Sequence, residues 1–141
     1  MSTIFKSKVP IQVRFNDVDI MGHVSNTVYL NYYDAGKMDY FDLVLPEIDF
    51  GKLAVVGASS KVDYLVPIFM RTKIYVQTRV AVLGTKSFTV EHQLIDNNYQ
   101  VLSTCSTVLV CFDVQSQTSR MIPEAWRKRI IEFEGEQLII K

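Results

Sequence analysis

A strand-like run meets a helix-like run in the stretch Arg14-Phe15-Asn16-Asp17-Val18-Asp19-Ile20-Met21-Gly22-His23-Val24-Ser25-Asn26. Two carboxylates, a glycine and a histidine are concentrated at this joint. A strand holds a carboxylate in a fixed place, glycine permits backbone geometry that other residues resist, and the first amides of a helix are unpaired donors. The pattern therefore predicts a base and an oxyanion-binding group side by side.

Two other interpretations of this joint need to be weighed. Residues 17–22 have the opening rhythm of an EF-hand calcium loop, but Met21 cannot supply the third oxygen ligand and Val28 stands where the closing glutamate belongs. Alternatively, Asp17 and Asp19 are turn and capping residues, since aspartate hydrogen-bonds nearby amides in loops and at helix starts. From the residues alone, the calcium loop is disfavoured, whereas the capping role and the catalytic role both stay open.

The chain has only two histidines, His23 and His92. This number makes a metal site built from several histidines improbable, and we expect no metal. His23 lies inside the joint, where an imidazole can either act on a ligand or simply hydrogen-bond to the backbone.

Length and charge limit the class of protein. We expect one domain over residues 1–141, because a chain of this length forms a single core. The 15 basic and 15 acidic residues cancel, and no basic block is present that would neutralise a nucleic-acid backbone. No signal peptide or membrane-spanning run is visible. We therefore expect a cytoplasmic protein without nucleic-acid partners and without membrane insertion.

The two cysteines are not expected to form a disulfide. Cys105 and Cys111 lie in one extended run, which separates their Cα atoms by roughly 20 Å at about 3.3 Å per residue. A disulfide needs a much shorter separation, so both cysteines are interpreted as reduced packing residues.

Apolar periodicity around the joint predicts one strand and one long helix. Alternation over residues 9–15 predicts a strand with Val9, Ile11, Val13 and Phe15 on one face. A helical pattern then covers residues 26–45 and is ended by Pro46. Its apolar stripe comprises Tyr29, Tyr32, Tyr33, Gly36, Tyr40, Leu43 and Val44. So many aromatic residues indicate a central helix that a curved sheet covers.

Four further extended runs occupy residues 53–66, 72–83, 87–95 and 99–114, and all are rich in Val, Ile, Thr and aromatic side chains. Turns are predicted at residues 84–86 and 96–98, and Pro123 is placed to open a short helix. The predicted fold is of the α+β class, with an antiparallel five-stranded sheet around a long central helix and a short C-terminal helix.

The joint and the helix start together resemble a motif of one known family. The stretch covers positions 14–33 and reads Arg-Phe-Asn-Asp-Val-Asp-Ile-Met-Gly-His-Val-Ser-Asn-Thr-Val-Tyr-Leu-Asn-Tyr-Tyr. The family is the hotdog-fold thioesterases of the 4-hydroxybenzoyl-coenzyme A thioesterase type. The resemblance continues through residues 62–67, 86–88, 110–113 and 122–124, and so covers nearly the whole chain. It implies a hotdog fold and the hydrolysis of acyl thioesters.

The resemblance also implies roles for single residues. The second aspartate of the motif is the catalytic carboxylate of the family, which here is Asp19, with Asp17 as its support. Asp19 would attack the thioester carbonyl or direct water at it, while amides near the helix start polarise the carbonyl oxygen. The candidate donors lie over residues 24–27. His23 would orient the thioester or order the loop.

Further substrate-binding residues follow from the same resemblance. Gly22, Val24 and Asn26 would line the site within the joint. Ser59 and Ser60 lie on the second strand, which in the family faces the aspartate loop of a partner subunit, although small residues there can also serve only packing. Lys86 matches a basic position that contacts the coenzyme A nucleotide, whereas Gly84 and Thr85 replace basic residues of some members.

The resemblance implies a homodimer or homotetramer that hydrolyses acyl-CoA, with a fatty acyl group favoured over an aromatic one. Coenzyme A would be part of the substrate, and no other cofactor is expected. An acyl-carrier-protein thioester is the alternative substrate. A non-catalytic subunit that binds acyl thioesters is the alternative function, but it would not need the Asp19 carboxylate. A hotdog dehydratase is a third alternative; it would need a His or carboxylate base elsewhere on the helix, for which Asp34 is a weak candidate.

Overall fold

The computed structural model describes residues 3–49 and 51–141. One curled sheet wraps around the long helix α1 (Tyr29–Val44), which continues a 3-10 turn over Asn26–Val28. The five main strands are β1 (Ser7–Ile11), β2 (Leu53–Tyr64), β3 (Ile74–Leu83), β4 (Ser87–Asp96) and β5 (Val101–Asp113). Their order is β1-β3-β4-β5-β2, and each neighbouring pair is antiparallel. The short helix α2 (Glu124–Glu134) packs near the end of α1. This arrangement confirms the predicted hotdog architecture.

The first strand lies earlier in the chain than predicted. It ends at Ile11, and a 3-10 turn over Phe15–Asp17 follows, with the Phe15 side chain 83% exposed. The turn forms because the Asp17 amide donates to the Arg14 carbonyl while the Arg14 amide donates to the Asp17 carboxylate, both at 2.9 Å. The prediction that the strand extends to Phe15, with Phe15 on the same face as Val9 and Ile11, is therefore wrong.

Two additional strands of two residues each were not predicted. Strand β6 (Thr118–Ser119) pairs antiparallel with β5, and β7 (Ile139–Ile140) pairs in parallel with β3. Two residues are too few to carry an alternating pattern, so periodicity gives no signal for such strands.

The buried face of α1 follows the predicted stripe with one exception. Its first half contributes Tyr29, Tyr32 and Tyr33 to a core with strands β3 to β5, and its second half contributes to a core with α2. Leu43 is 55% exposed, whereas Phe41 is buried in its place. The exception arises because Phe41, Val44 and Leu45 pack into the cluster that contains Trp126 and Ile130, which leaves Leu43 on the outer side of the last turn.

The predicted turns and cysteine states agree with the structure. The Gly84 amide donates to the Ser87 carbonyl at 2.8 Å, and the Asp96 carboxylate caps the 96–100 turn by accepting from Asn98 and Gln100. Cys105 and Cys111 are both buried and unbonded to each other. Burial raises the pKa of both thiols, that of Cys111 to about 11, so neither is a reactive thiolate. In the described part of the chain, every helix is too short or too polar to cross a bilayer.

Helix α1 packs closely against strand β3 at Gly36. A Cβ atom there would lie 2.6 Å from Thr78 Oγ1 and 2.9 Å from a methyl carbon of Val76. Thr78 cannot easily yield, because its Oγ1 is buried and 2.9 Å from His92 Nδ1. The absence of a side chain at position 36 thus allows the helix to sit inside the sheet.

Gly36→Ala is expected to lower the free energy of unfolding by up to about 2 kcal/mol, because the helix must move off the sheet at an overpacking cost of about 1–3 kcal/mol. Alanine's helix propensity, worth about 1 kcal/mol, offsets only part of this loss. Urea denaturation measures the change. Asn31→Ala, on the exposed side of the same helix, is the control and should stabilise the protein slightly. A Gly36→Ala variant as stable as the wild type would contradict the tight approach.

Candidate active site

The loop before helix α1 is a small closed hairpin. Val18 and Val24 face each other as an isolated antiparallel bridge, the Asp19 amide donates to the His23 carbonyl at 2.9 Å, and the Gly22 amide donates to the Asp19 carbonyl at 3.0 Å. Gly22 has a φ of +83°, in the region that favours glycine. Gly22 therefore closes the loop through its backbone and presents no side chain to a ligand.

Asp19 lies exposed at the start of this hairpin. Its Oδ1 accepts a hydrogen bond from the Met21 amide at 2.9 Å, which orients the carboxylate. Its Oδ2 accepts no hydrogen bond from the described residues. One carboxylate oxygen is thus fixed by the loop, and the other is available to accept a proton or to attack a carbonyl carbon.

Asp17 differs from Asp19 in its burial and in the number of hydrogen bonds that its carboxylate accepts. It is only 2% exposed, and its carboxylate accepts from the Tyr32 hydroxyl at 2.7 Å and from the Arg14 amide and guanidinium at 2.9 and 3.2 Å. Burial alone would raise the pKa of Asp17, but these hydrogen bonds outweigh it and hold the pKa below its ordinary value. The Asp17 carbonyl also accepts the Ser25 amide at 2.9 Å. Asp17 therefore ties the loop to helix α1, which is a positioning role.

Asp17→Asn is expected to destabilise the protein at pH 7 by about 1–3 kcal/mol, because a buried charged acceptor is lost. A carboxyl whose folded-state pKa is lowered contributes stability that is complete above its unfolded pKa and is lost as the pH falls through the folded one. The difference from the wild type should therefore shrink below about pH 4. Urea denaturation over a pH series measures it.

Asp42→Asn is a suitable control for that experiment, because Asp42 is an exposed aspartate on the same helix without an ion pair among the described residues. Its effect on the free energy of unfolding should be small at every pH. A difference between wild type and Asp17→Asn that stayed constant down to low pH would contradict the assigned hydrogen bonds.

The start of the helix offers two free backbone donors. Of the four amides over residues 24–27, that of Val24 donates to the Ile68 carbonyl at 2.7 Å and that of Ser25 to the Asp17 carbonyl. The amides of Asn26 and Thr27 have no acceptor among the described residues. Unpaired amides at a helix start can bind a developing negative charge, helped by the helix dipole. Of the four candidate donor amides over residues 24–27, only those of Asn26 and Thr27 are therefore free to bind a ligand.

His23 is half-buried beside these groups. Its ring packs edge-on against Phe69, with ring centroids 4.9 Å apart, and the two residues form an isolated bridge. Its side chain forms no hydrogen bond to another described residue, so the ring is free to contact a ligand.

A cavity of about 320 Å³ opens beside the helix start. Its walls come from the loop, the first turn of the helix and the segment that follows β2. The lining residues are His23, Val24, Asn26, Tyr29, Tyr64, Leu65, Val66 and Pro67. Tyr64 packs edge-on against Tyr29, with ring centroids 4.8 Å apart, and its hydroxyl donates to the Asn26 carbonyl at 3.4 Å.

Of the nine sequence-predicted site residues, only His23, Val24 and Asn26 line this cavity. Asp17, Asp19 and Gly22 belong to the adjoining loop and are not among the lining residues.

The remaining three, Ser59, Ser60 and Lys86, lie farther away within one chain. The Lys86 carbonyl accepts a hydrogen bond from the Cys111 amide, so Lys86 lies beside residue 111 of β5. The end of β2 that lines the cavity is Tyr64, which pairs with Ser103 of β5. Residues 103 and 111 of the same strand are about 26 Å apart at about 3.3 Å per residue. Ser59 and Ser60 lie on the exposed edge strand β2, where the Ser60 and Thr107 hydroxyls are 2.8 Å apart.

Sequence reasoning did not assign Tyr64, Leu65 or Phe69 to the site. Only the resemblance over residues 62–67 pointed to this segment, and it assigned the segment no role.

The second histidine, His92, lies in the core and not at the site. Burial lowers its pKa to about 3 and keeps the imidazole neutral. In the described ranges, no group of three or more His, Cys, Asp or Glu side chains is arranged to hold a metal ion.

Comparison with known proteins gives a consistent family. The model of the thioesterase-like superfamily matches residues 13–130. The solved structure of a Thermus thermophilus thioesterase, complexed with coenzyme A and zinc, is 34% identical with a TM-score of 0.82, and the match covers 94% of this chain and 96% of that one. The PA5185 protein of Pseudomonas aeruginosa strain PAO1 is 25% identical with a TM-score of 0.83, and 94% of each chain is covered.

A curated protein of Bacillus subtilis strain 168, the uncharacterized protein YsmA, is also similar. It is 25% identical over 87 residues, and this stretch covers 62% of this chain and 58% of that protein. The match therefore spans less than two thirds of the length of YsmA.

Proposed function

The chain belongs to the thioesterase-like superfamily, and from this membership we propose that it hydrolyses acyl-CoA thioesters to a free acid and coenzyme A. Asp19 serves as general base or nucleophile in this proposal, and no metal or other cofactor takes part.

The observation that carries the proposal is the contrast between the two aspartates. Asp17 is buried and its carboxylate is occupied by three hydrogen bonds, whereas Asp19 is exposed and keeps one oxygen unoccupied. The free amides of Asn26 and Thr27 begin the helix that follows the same hairpin. A base or nucleophile and an oxyanion binder are what acyl transfer from a thioester requires.

The reaction then proceeds through a tetrahedral intermediate. With Asp19 as general base, a water oxygen attacks the thioester carbon while Asp19 takes its proton. The carbonyl oxygen becomes an oxyanion, which the Asn26 and Thr27 amides stabilise. When the C–S bond breaks, the leaving thiolate takes the proton back from Asp19 and departs as the thiol of coenzyme A. The acyl group remains as the free acid. With Asp19 as nucleophile, its carboxylate attacks the carbon directly, the thiolate leaves, and water hydrolyses the resulting anhydride.

The acyl group is proposed to occupy the cavity beside the helix start. Its aliphatic wall is formed by Val24, Leu65 and Val66, and the tyrosine pair of Tyr29 and Tyr64 also lines the cavity. Such walls suit an aliphatic acyl chain, because apolar burial is their main contribution to binding. A fatty acyl group is therefore preferred over an aromatic one.

A homodimer through strand β2 is part of the proposal, and two such dimers would form a tetramer. The strand has 12 residues and lies at the edge of the sheet, where its outer backbone groups lack a neighbouring strand. A twofold copy would pair these groups. Because the twofold copy runs antiparallel, it would also bring Lys86 of the partner subunit, which lies near the Leu53 end of β2, toward the Tyr64 end of this chain's β2, beside Asn26. Ser59 and Ser60 of both subunits would lie near the middle of the paired strands.

The proposal is tested by thiol release from a panel of short-, medium- and long-chain acyl-CoA esters, an aromatic acyl-CoA and an acyl-carrier-protein thioester. Turnover of the aliphatic esters is expected, and the panel identifies the preferred chain length. If the protein retained an acyl thioester stoichiometrically and released no thiol from any panel member, it would instead be a binding subunit.

A further inference from the structure

A second cavity, of about 490 Å³, lies next to residues 64–67, the segment that lines the candidate active site. It is formed between the end of β1 and the residues that lead into β3. The lining residues are Pro10, Ile11, Gln12, Val13, Met70, Arg71, Thr72, Lys73, Ile74 and Tyr75. Two of them are cations, Arg71 and Lys73, and none is a carboxylate. The cavity therefore has a net positive lining.

The two cations are available to a ligand. Neither Arg71 nor Lys73 is within an ion-pair distance of a carboxylate in the described ranges, whereas Arg14, Lys37, Lys61, Arg79 and Arg129 all are. Both side chains are exposed. Two unpaired cations on one cavity are a match for phosphate, which arginine can bind through two parallel hydrogen bonds.

A tight turn holds Arg71 in place at this cavity. The Thr72 amide donates to the Phe69 carbonyl at 3.1 Å, and the Phe69 amide donates to Thr72 Oγ1 at 3.2 Å. These bonds close the turn over residues 69–72. Arg71 therefore extends from an ordered backbone rather than from an open loop.

The turn also connects the two cavities. Phe69 packs against His23, and the neighbouring Ile68 carbonyl accepts the Val24 amide. Pro67 lines the first cavity and Arg71 the second, and four residues span at most roughly 13 Å. Between them, Phe69 and Met70 expose 51% and 40% of their apolar side chains. An apolar ridge thus separates a thioester site from a phosphate-sized positive site.

We propose that the second cavity binds a phosphate of the substrate's carrier arm through Arg71 and Lys73, while the thioester end of the arm lies at Asp19. The inference rests on the proposed function. The arm would cross the ridge of Phe69 and Met70 with its less polar part. Phosphate on a pantetheine arm occurs both in coenzyme A and in the prosthetic group of carrier proteins, so the chemistry recognised is that of phosphopantetheine.

The test compares three thioesters of one acyl group: acyl-CoA, acyl-phosphopantetheine and acyl-pantetheine, of which the last has no phosphate. The variants are Arg71→Gln, Lys73→Gln and the double variant, and Lys128→Gln on α2 is the charge-matched control. For the double variant, we expect the KM for acyl-CoA to rise roughly tenfold, with kcat and the KM for acyl-pantetheine unchanged.

Each result decides the inference. A KM increase shared by acyl-phosphopantetheine supports the phosphate next to pantetheine as the ligand of the site. An increase confined to acyl-CoA would contradict the inference, because only the nucleotide phosphates would then be recognised. An increase that is equal for acyl-pantetheine, or no increase in the double variant, would overturn the inference.

Failure of the proposed function is separable from failure of this inference. If the wild type turned over none of the three esters, coenzyme A would be titrated into the labelled full chain by NMR. Shifts of the amide resonances of residues 70–75 that disappear in the double variant would support the phosphate site. The absence of such shifts in the wild type would reject it.

Discussion

Asp19→Asn is expected to lower kcat for acyl-CoA hydrolysis by about 10²–10⁴-fold, the range typical of losing a general base. Asparagine has nearly the same shape and can still accept the Met21 amide through its side-chain oxygen, so the hairpin should persist. What it lacks is an oxygen that can take a proton or attack a carbonyl carbon. Thiol release at saturating substrate measures kcat, and thermal unfolding confirms that the variant is folded.

The matched control for that variant is Asp17→Asn, which lies two residues earlier in the same loop. Its carboxylate is buried against Tyr32 and Arg14, so its replacement should act mainly on stability. The two variants are thus expected to separate, one losing turnover with little change in stability and the other losing stability. An Asp19→Asn variant with wild-type kcat would reject Asp19 as base and as nucleophile.

Local patterns predicted the parts of this fold that local physics determines. Helix α1 was predicted because its tyrosines recur at helical spacing. The turn at residues 96–98 was predicted because Asp and Asn favour turns, and the structure shows the Asp96 side chain capping it. The first strand was misplaced because alternation at residues 9–15 carries no information about the bonds between Arg14 and Asp17 that turn the chain away.

The sequence indicated the loop and the helix start of the candidate site but not its walls. The motif carries Asp19 and the helix start within a few residues, and only its resemblance to a family distinguished catalysis from capping. Tyr64 and Phe69 reach the site from a segment some 40 residues farther along the chain, through contacts with Asn26 and His23. Such contacts depend on strand order, which no local pattern encodes.

The same limitation hid Glu134, which is 2% exposed at the end of helix α2. Its Oε2 accepts from the Tyr40 hydroxyl at 2.7 Å and from the Val80 amide at 3.0 Å. Along the edge of β3, β1 pairs as far as Thr78 and β7 begins at Val82, so the Val80 amide lies in the gap between two strands. The Glu134 carboxylate fills this gap and joins α2, α1 and the sheet.

Glu134→Ala is therefore expected to lower the free energy of unfolding by about 2–6 kcal/mol. Two buried donors, the Val80 amide and the Tyr40 hydroxyl, lose their acceptor, and each unsatisfied donor costs about 1–3 kcal/mol. Burial raises the pKa of Tyr40, and the Glu134 charge raises it further, so the hydroxyl keeps its proton and cannot escape the penalty by ionising. Urea denaturation at one fixed protein concentration measures the change.

Glu134→Gln and Tyr40→Phe decide whether the loss has this cause. Glutamine keeps a side-chain oxygen for Val80 and Tyr40, so it should destabilise less than alanine. Tyr40→Phe removes one of the two donors, and the double variant with Glu134→Ala should therefore lose less than the sum of the single losses. Additive losses would mean that the two side chains do not stabilise each other through their hydrogen bond. Because this network lies near α2 rather than at the start of α1, kcat of the folded protein should stay unchanged in all four variants.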